Sequence, residues 1–316
     1  MKPFLTIVAG ACLLLTSPLP VTSWVGPFSR SSASARAAPP PIVICPGFGN
    51  DQIDYLNPMN LGEEAGMVQA LRRRGFPVYV VPVKRTDWLK FANGLVTPSF
   101  WSQTMTPRDP SFAWYLDKVI TTVETAVTEA EGNKALLVGH SAGGWLARAA
   151  LGDGTWAGAA AEEASDLVRG CVTLGSPHLP PAPPGMDVTR GALVHVHVNY
   201  PGAFLKNKGI SYLTVAGVAV EGKRDQRNRA ERRKVTAGSE TGRERIEDFA
   251  WRSYVQVCGR GDVIGDGVVP VEAAHLEGAK QISLKDVFHS INAPKAWYGS
   301  EEVIDLWLRQ VEGLKY

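Results

Sequence analysis

The sequence predicts an α/β fold: a mostly parallel sheet with helices on both faces and a cap of loops and helices. Two observations lead to this prediction. Short and almost continuously apolar runs, such as 77–83 and 168–174, have the length and composition of strands buried on both faces. Segments with apolar residues at helical spacing, such as 111–131, separate these runs. Strands that alternate with helices along a chain form a parallel sheet.

Length and composition indicate one large domain and exclude several protein classes. The chain has 316 residues, of which 45% are hydrophobic and 20% charged, with a net charge of +2. A charge this small does not indicate a nucleic-acid partner. Beyond residue 41 the cysteines are few, odd in number and widely spaced, which argues against a disulfide framework. No Cys-x-x-Cys or histidine cluster suggests a metal. We therefore predict no metal and no cofactor, and leave the oligomeric state open.

Residues 1–41 have the composition of a targeting presequence, and 42–316 are assigned to the folded domain. The apolar run 4–15 suits a signal peptide and is too short to span a bilayer. The stretch after Trp24 is rich in Ser, Ala and Arg, and no acidic residue precedes Asp51. This arrangement resembles the bipartite presequences of algae with secondary plastids, which predicts a plastid protein. Secretion or residence in endomembranes is the alternative.

The regular elements of the domain follow from apolar runs and helical spacing. Predicted strands cover 41–45, 77–83, 135–138, 168–174, 210–216 and 279–284. Predicted helices cover 60–74, 111–131, the segment after Ser141 and 300–314.

Two long connections break this alternation and predict cap segments. The first, 84–110, carries Trp88, Phe100 and Trp101 among Gly and Pro residues, and is long for a loop between a strand and a helix. Its aromatic side chains could line an apolar acyl pocket or could simply pack on the core. The second connection, 179–209, follows a strand that ends in Gly-Ser-Pro-His178. We include His178 among the substrate-pocket candidates.

Residues 220–246 form a basic and weakly apolar segment. Such a composition predicts a solvated or disordered insertion. Peripheral contact with an anionic membrane surface or a phosphate-bearing head group is the alternative.

The stretch Gly139-His140-Ser141-Ala142-Gly143 lies between a predicted strand and a predicted helix. A strand, a sharp turn and a helix are the context in which Gly-x-Ser-x-Gly forms a nucleophile elbow. Gly139 and Gly143 lie where the strand and the helix cross closely and a Cβ would collide. We predict Ser141 as a nucleophile; the alternative is a serine that only caps the helix.

The remaining polar candidates lie near the C-terminus and after the first strand. Asp266 lies between two glycines after the penultimate strand region, with Asp262 as a competitor, and His289 follows the last strand. The backbone N–H groups of Phe48 and Ala142 are the predicted oxyanion donors. An ordinary strand-to-helix turn is the alternative for the loop that contains Phe48.

These segments together resemble the α/β-hydrolase superfamily over residues 41–314. The resemblance rests on Pro46-Gly47-Phe48-Gly49, Gly139-His140-Ser141-Ala142-Gly143-Gly144, Gly175-Ser176-Pro177-His178, Asp266-Gly267-Val268-Val269-Pro270 and His289. The order Ser141, Asp266, His289 is the triad order of that superfamily. More narrowly, the chain resembles a plastid lipase/esterase-like branch that is similar to the GPI inositol-deacylase and triacylglycerol lipase group. Many lipases have His where this chain has Pro46.

The resemblance and the residues together imply a serine hydrolase that cleaves carboxylic esters through an acyl-enzyme. Ser141 is the expected nucleophile, His289 the base and Asp266 the acid that orients it. The expected substrate is a small-molecule or lipid ester with an apolar acyl group. An acyltransferase, a GPI inositol-deacylase-like activity and a non-catalytic binding protein of the same fold are the alternatives.

Overall fold

The computed structural model describes residues 38–156, 164–181, 187–226, 239–293 and 295–314, with only the backbone described at 239–244. Residues 1–37 of the predicted presequence lie outside these ranges. The bipartite targeting signal therefore stays a prediction.

Six parallel strands form the central sheet, which confirms the predicted fold class. The strands of this sheet are β1 (Ile42–Cys45), β2 (Val78–Val80), β3 (Ala135–His140), β4 (Val168–Leu174), β5 (Ser211–Val218) and β8 (Lys280–Lys285). Their spatial order is β2-β1-β3-β4-β5-β8, and every neighbouring pair is parallel. Two short strands, β6 (Val220–Glu221) and β7 (Ile264–Gly265), pair antiparallel beside it.

Side chains alternate along each strand, so the central strands contribute to two cores, one on either face of the sheet. In β1, Val43 and Cys45 pack on one side, and Ile42 and Ile44 pack on the other; all four are fully buried. This explains why the central strands are almost continuously apolar in the sequence.

Helices cover the two faces and connect the strands. Within the described residues they are α1 (Ile53–Leu56), α2 (Met67–Arg73), α3 (Pro98–Ser102), α4 (Ala113–Glu129), α5 (Ala142–Asp153), α6 (Ala164–Leu167), α7 (Ala192–Asn199), α8 (Ser239–Cys258), α9 (Val271–Ala274) and α10 (Glu301–Leu308). Shorter 3₁₀ turns occupy Pro58–Asn60, Glu63–Ala65, Arg85–Val96 and Lys206–Lys208. The core formed by α4 and α5 lies on the Val43 side, and the core that includes α2 and α10 lies on the Ile42 side.

Two predicted segments differ from the structure. The helix expected over 60–74 is broken, because Gly62 and Gly66 lie outside helical geometry and the α-helix starts only at Met67. The basic insertion expected over 220–246 starts as strand β6 and ends as the first turns of α8. Ala250 and Tyr254, one helical turn apart, are fully buried against Val220. Residues 227–238 lie outside the described ranges, so membrane contact there stays a prediction.

No helix in the described ranges is both long and apolar enough to cross a bilayer. The same residues contain no group of three or more His, Cys, Asp or Glu side chains arranged to hold a metal ion.

Candidate active site

Ser141 lies at a sharp turn between β3 and α5, at the carboxyl edge of the sheet. Its φ of 53° and ψ of −130° are a strained geometry for a residue with a side chain, and its N–H donates to the Leu174 carbonyl oxygen over 2.9 Å. A Cβ on Gly139 would overlap the backbone of Gly144, and one on Gly143 would overlap the backbone of Cys45. The two glycines of the motif therefore allow the close crossing that the turn requires.

Asp266 and His289 form a buried hydrogen-bonded pair at the same edge. His289 Nδ1 lies 2.8 Å from Asp266 Oδ2, and the His289 N–H donates to the Asp266 carbonyl oxygen over 2.9 Å. Because a carboxylate only accepts, Nδ1 carries the proton and Nε2 is left to face a reacting group. The competing Asp262 is exposed, so the structure brings Asp266, not Asp262, to His289.

Four donors surround the Asp266 carboxylate. The Val268 and Val269 N–H groups donate to Oδ1 over 2.9 and 2.7 Å, and the Tyr298 hydroxyl donates to Oδ2 over 2.8 Å. Burial by itself raises the pKa of Asp266, but the charge of His289 and the hydrogen bonds from His289, Val269 and Val268 outweigh burial and lower the pKa below its usual value. The carboxylate is therefore held ionised. The sequence gives no local sign that Tyr298 would reach Asp266.

A second buried network joins Tyr55, His140 and the backbone of His289. His140 Nε2 lies 3.0 Å from the His289 carbonyl oxygen, and His140 Nδ1 lies 2.9 Å from the Tyr55 hydroxyl. Burial, with a smaller effect from His289, lowers the pKa of His140 to about 3, so the ring is neutral near pH 7. Because the carbonyl only accepts, Nε2 carries the proton and Tyr55 donates to Nδ1. The Tyr55 oxygen accepts from the Gly47 N–H over 3.2 Å.

An apolar cavity of about 320 Å³ opens beside Ser141. Its aromatic lining comes from Phe48, Trp88, Phe91, Phe112 and Trp145. The acidic side chain at its wall, Asp187, is bound by the N–H groups of Thr189 and Gly191 and by the Thr189 hydroxyl, so its charge is already hydrogen-bonded.

Three of the four predicted pocket residues lie elsewhere. Trp88 lines the cavity, but Phe100 is buried in the core with its ring 5.7 Å from that of Phe91. Trp101 is 67% exposed, and its indole N–H donates to the Leu95 carbonyl oxygen. Aromatic composition alone could not tell which rings of 84–110 face the cavity: Trp88 and Phe91, on the 3₁₀ turn Arg85–Val96, line it, whereas the rings of the following helix α3 do not.

His178 is a buried structural residue and does not line the cavity. Its Nε2 lies 2.9 Å from Thr173 Oγ1, and its Nδ1 lies 3.3 Å from the fully buried Arg148 guanidinium. Burial and then the charge of Arg148 lower the pKa of His178 well below its usual value. The prediction for His178 failed because the loop after β4 turns the imidazole under α5.

The two predicted oxyanion donors flank Ser141. Ala142 is the first residue of α5, and Gly47, next to Phe48, is packed so closely that a Cβ on it would lie 2.7 Å from Ser141 Cβ. Within the described residues neither the Phe48 N–H nor the Ala142 N–H donates to a protein acceptor. Both amides are therefore free to bind an oxygen that approaches Ser141.

The structure does not join Ser141 to His289 by a direct hydrogen bond: within the described ranges Ser141 Oγ has no hydrogen-bond partner. The residue before Ser141 does contact His289, since the ring centroids of His140 and His289 lie 5.0 Å apart.

A family model described as the alpha/beta hydrolase family matches residues 42–277, which is most of the chain and includes Ser141 and Asp266. The chain belongs to the alpha/beta hydrolase family. A search of curated proteins gave no significant match.

Solved structures similar to this alpha/beta hydrolase include three with hydrolase names. A lipase from Bacillus licheniformis is 14% identical, with 87% of this chain and 91% of that one covered and a TM-score of 0.47. A dienelactone hydrolase from Anabaena variabilis is 10% identical, with 88% of each chain covered and a TM-score of 0.41. The esterase domain of a Rhodothermus marinus protein is 14% identical, with 89% and 90% covered and a TM-score of 0.38.

Proposed function

We propose that this alpha/beta hydrolase cleaves carboxylic esters through a covalent acyl-enzyme on Ser141. The observation that carries the proposal is the buried Asp266–His289 hydrogen bond at the sheet edge where Ser141 occupies a strained turn. A pre-oriented imidazole and a sharply turned hydroxyl in the wall of a cavity are the groups that nucleophilic catalysis needs.

The reaction proceeds in two steps, acylation of Ser141 and hydrolysis of the acyl-enzyme. Ser141 Oγ attacks the ester carbonyl carbon while His289 Nε2 takes the hydroxyl proton. The carbonyl oxygen becomes negatively charged and accepts hydrogen bonds from the Phe48 and Ala142 N–H groups. The carbon–oxygen bond to the alcohol then breaks, and His289 returns the proton to the leaving oxygen. Water, activated by the same imidazole, releases the carboxylic acid and restores Ser141. In this proposal the Ser141–His289 contact closes when substrate binds, as catalytic hydrogen bonds often do.

An active-site-directed fluorophosphonate probe tests the nucleophile. The wild-type protein is expected to be labelled once, at Ser141, and Ser141→Ala to lose the label. The neighbouring Ser176→Ala is the matched control, because Ser176 is buried at the same sheet edge and its hydroxyl donates to the Gly139 carbonyl oxygen. Labelling that survives Ser141→Ala would refute Ser141 as the nucleophile. Absent labelling of the folded wild-type protein would refute the proposed function and favour a binding protein.

Product analysis with a labelled acyl ester decides between hydrolysis and transfer. Free carboxylic acid as the main product, with and without an added acceptor alcohol, is the expected result. A new ester that replaces the acid whenever the alcohol is present would assign the protein as an acyltransferase.

We also propose that residues 1–41 direct the protein to a plastid, which their signal-like run and acid-free, Ser-, Ala- and Arg-rich stretch support. A fluorescent fusion to these residues in an alga with a secondary plastid is expected to accumulate there. Secretion of the fusion would contradict the assignment. The narrower kinship with the plastid lipase and GPI inositol-deacylase group is proposed on the motif set alone, and an inositol-acylated substrate would be its direct test.

A further inference from the structure

Two separate pockets contact the candidate catalytic residues, and the chemical character of their walls differs. The apolar cavity contains Ser141 in its wall. A second pocket of about 290 Å³ contains His289 in its wall, together with His140, and lies between the Gly49–Asp54 segment and the loop that follows His289.

The wall of the second pocket is polar but balanced in charge. Its cation, Arg85, donates to both carboxylate oxygens of Asp54 over 2.8 and 2.7 Å, so the two charges pair. Arg85 Nε also donates to the Gly49 carbonyl oxygen. A guanidinium occupied in this way is poorly placed to recruit an anionic group, since the anion would have to displace Asp54.

Neutral hydrogen-bonding groups remain open in the same wall. The side chains of Ser290 and Asn292 are exposed and make no hydrogen bond within the described part of the chain. Hydroxyl and amide groups both donate and accept, which is the combination that recognises hydroxyl groups on a ligand.

The chemistry of the two steps places the acyl part of the substrate in one pocket and the alcohol part in the other. The acyl group stays on Ser141, so it occupies the apolar cavity. The alcohol part receives its proton from His289, so it lies on the His289 side when the ester bond breaks. We propose that the substrate is an ester of an apolar acyl group with a neutral, hydroxyl-rich alcohol held by Ser290 and Asn292.

This inference rests on the proposed function, and a panel of butanoate esters tests the two separately. The probes are 1-butanoylglycerol, pentyl butanoate, butanoylcholine and butanoyl glycerol phosphate, which share one acyl group and differ in the alcohol. We expect the highest kcat/KM for the glycerol ester, with the alkyl ester and both charged esters at least threefold lower, the lower end of what a neutral hydrogen bond is worth.

Two substitutions then locate the preference. Asn292→Leu and Ser290→Val are each expected to reduce the ratio of kcat/KM for the glycerol ester over the pentyl ester by about three- to tenfold. Asn207→Leu is the matched control, because Asn207 is exposed in the turn before β5, at the opposite edge of the sheet. It should leave the ratio unchanged.

The outcomes separate the inference from the proposed function. Fluorophosphonate labelling of Ser141 together with a preference for the pentyl ester or a charged ester, or with a ratio that neither substitution changes, overturns the inference and leaves the ester hydrolase intact. Absence of labelling in the folded wild-type protein overturns both the inference and the proposed function.

Discussion

His140 donates its Nε2–H to the carbonyl oxygen of His289 across 3.0 Å, so the residue before the candidate nucleophile holds the backbone of the candidate base. On the other side of the ring the Tyr55 hydroxyl donates to Nδ1, and the Gly47 N–H donates to the Tyr55 oxygen. One chain of hydrogen bonds therefore connects the loop that carries Phe48 with the loop that carries His289. We assign Tyr55 and His140 as positioning residues.

Tyr55→Phe removes the middle of this chain and leaves His140 Nδ1 and the Gly47 N–H without partners. Two buried polar groups without partners should lower the free energy of unfolding by about 1–3 kcal/mol. Misplacement of the Phe48 N–H and His289 should lower kcat by about tenfold or more while KM changes little. Denaturant unfolding and steady-state kinetics measure the two effects.

The matched control is Tyr79→Phe, which removes a hydroxyl that donates to Glu129 on the surface. It should leave both quantities near the wild-type values. A Tyr55→Phe enzyme that loses stability but keeps its kcat would reduce Tyr55 to a purely structural residue.

Tyr298 is expected to stabilise the folded protein through the charge of Asp266. Its hydroxyl donates to Asp266 Oδ2 and accepts from the Gly217 N–H over 2.7 Å, and both side chains are fully buried. A double-mutant cycle of Tyr298→Phe and Asp266→Asn should give a coupling free energy of about 1–3 kcal/mol in unfolding, as expected for a buried hydrogen bond to a carboxylate. Tyr115→Phe removes a buried hydroxyl that donates to the Pro46 carbonyl oxygen, and its coupling to Asp266→Asn should be near zero. Equal coupling for the two tyrosines would contradict the assignment.

Lowering the pH should decrease the free energy of unfolding already at pH values well above those at which carboxylates protonate. Burial lowers the pKa of His140 to about 3 and the pKa of His178 well below its ordinary value, whereas both imidazoles titrate near pH 6.5 in the unfolded chain. Between these values the unfolded state binds more protons, so stability is full above about pH 6.5 and falls as the pH is lowered. His140 should remove about 2 kcal/mol between pH 7 and pH 5, and His178 should add to this loss in the same direction.

Denaturant unfolding as a function of pH checks this expectation. His140→Gln is expected to make the dependence shallower by about one proton, whatever its effect on stability at pH 7. The surface substitution His197→Gln controls for the loss of an imidazole, since His197 is exposed on α7. If His140→Gln and wild type lose the same free energy between pH 7 and pH 5, the buried neutral state of His140 is wrong.

The strands and the elbow could be predicted from sequence because their signals are local. Apolar runs set β3, β4 and β5, and glycines two residues on either side of Ser141 report a steric requirement of one turn. His289 could be named because it follows β8, a strand of the central sheet. Asp266 follows the short strand β7, which lies outside that sheet, so its place between two glycines and before His289 was the usable sign.

Contacts made by distant tyrosines and by loop turns could not be predicted in the same way. Tyr55 lies in α1 and Tyr298 in the loop before α10. A buried tyrosine looks like an ordinary core residue in the sequence. His178 shows the converse, since a histidine that follows a strand at the correct edge can still be turned into the core. The spacing of Ala250, Tyr254 and Val257 was a usable sign of α8, hidden by the charge of the preceding segment.

Because the turn at Ser141 is strained, we expect a glycine variant there to be more stable than an alanine variant, which is the reverse of the usual order. With φ of 53° and ψ of −130°, the residue occupies a region in which any Cβ is strained by about 1–3 kcal/mol. Ser141→Gly relieves this strain, whereas Ser141→Ala keeps it, so the glycine variant should be the more stable of the two by about 1 kcal/mol or more after the extra entropy of glycine. At Thr125, an exposed position inside α4, the alanine variant should instead be the more stable by about 1 kcal/mol. Thermal unfolding of the four variants measures both differences, and alanine more stable than glycine at position 141 would show that the turn stores no strain. Both variants at 141 lack the hydroxyl and should be inactive, which makes the free energy given up for a serine at this turn directly measurable.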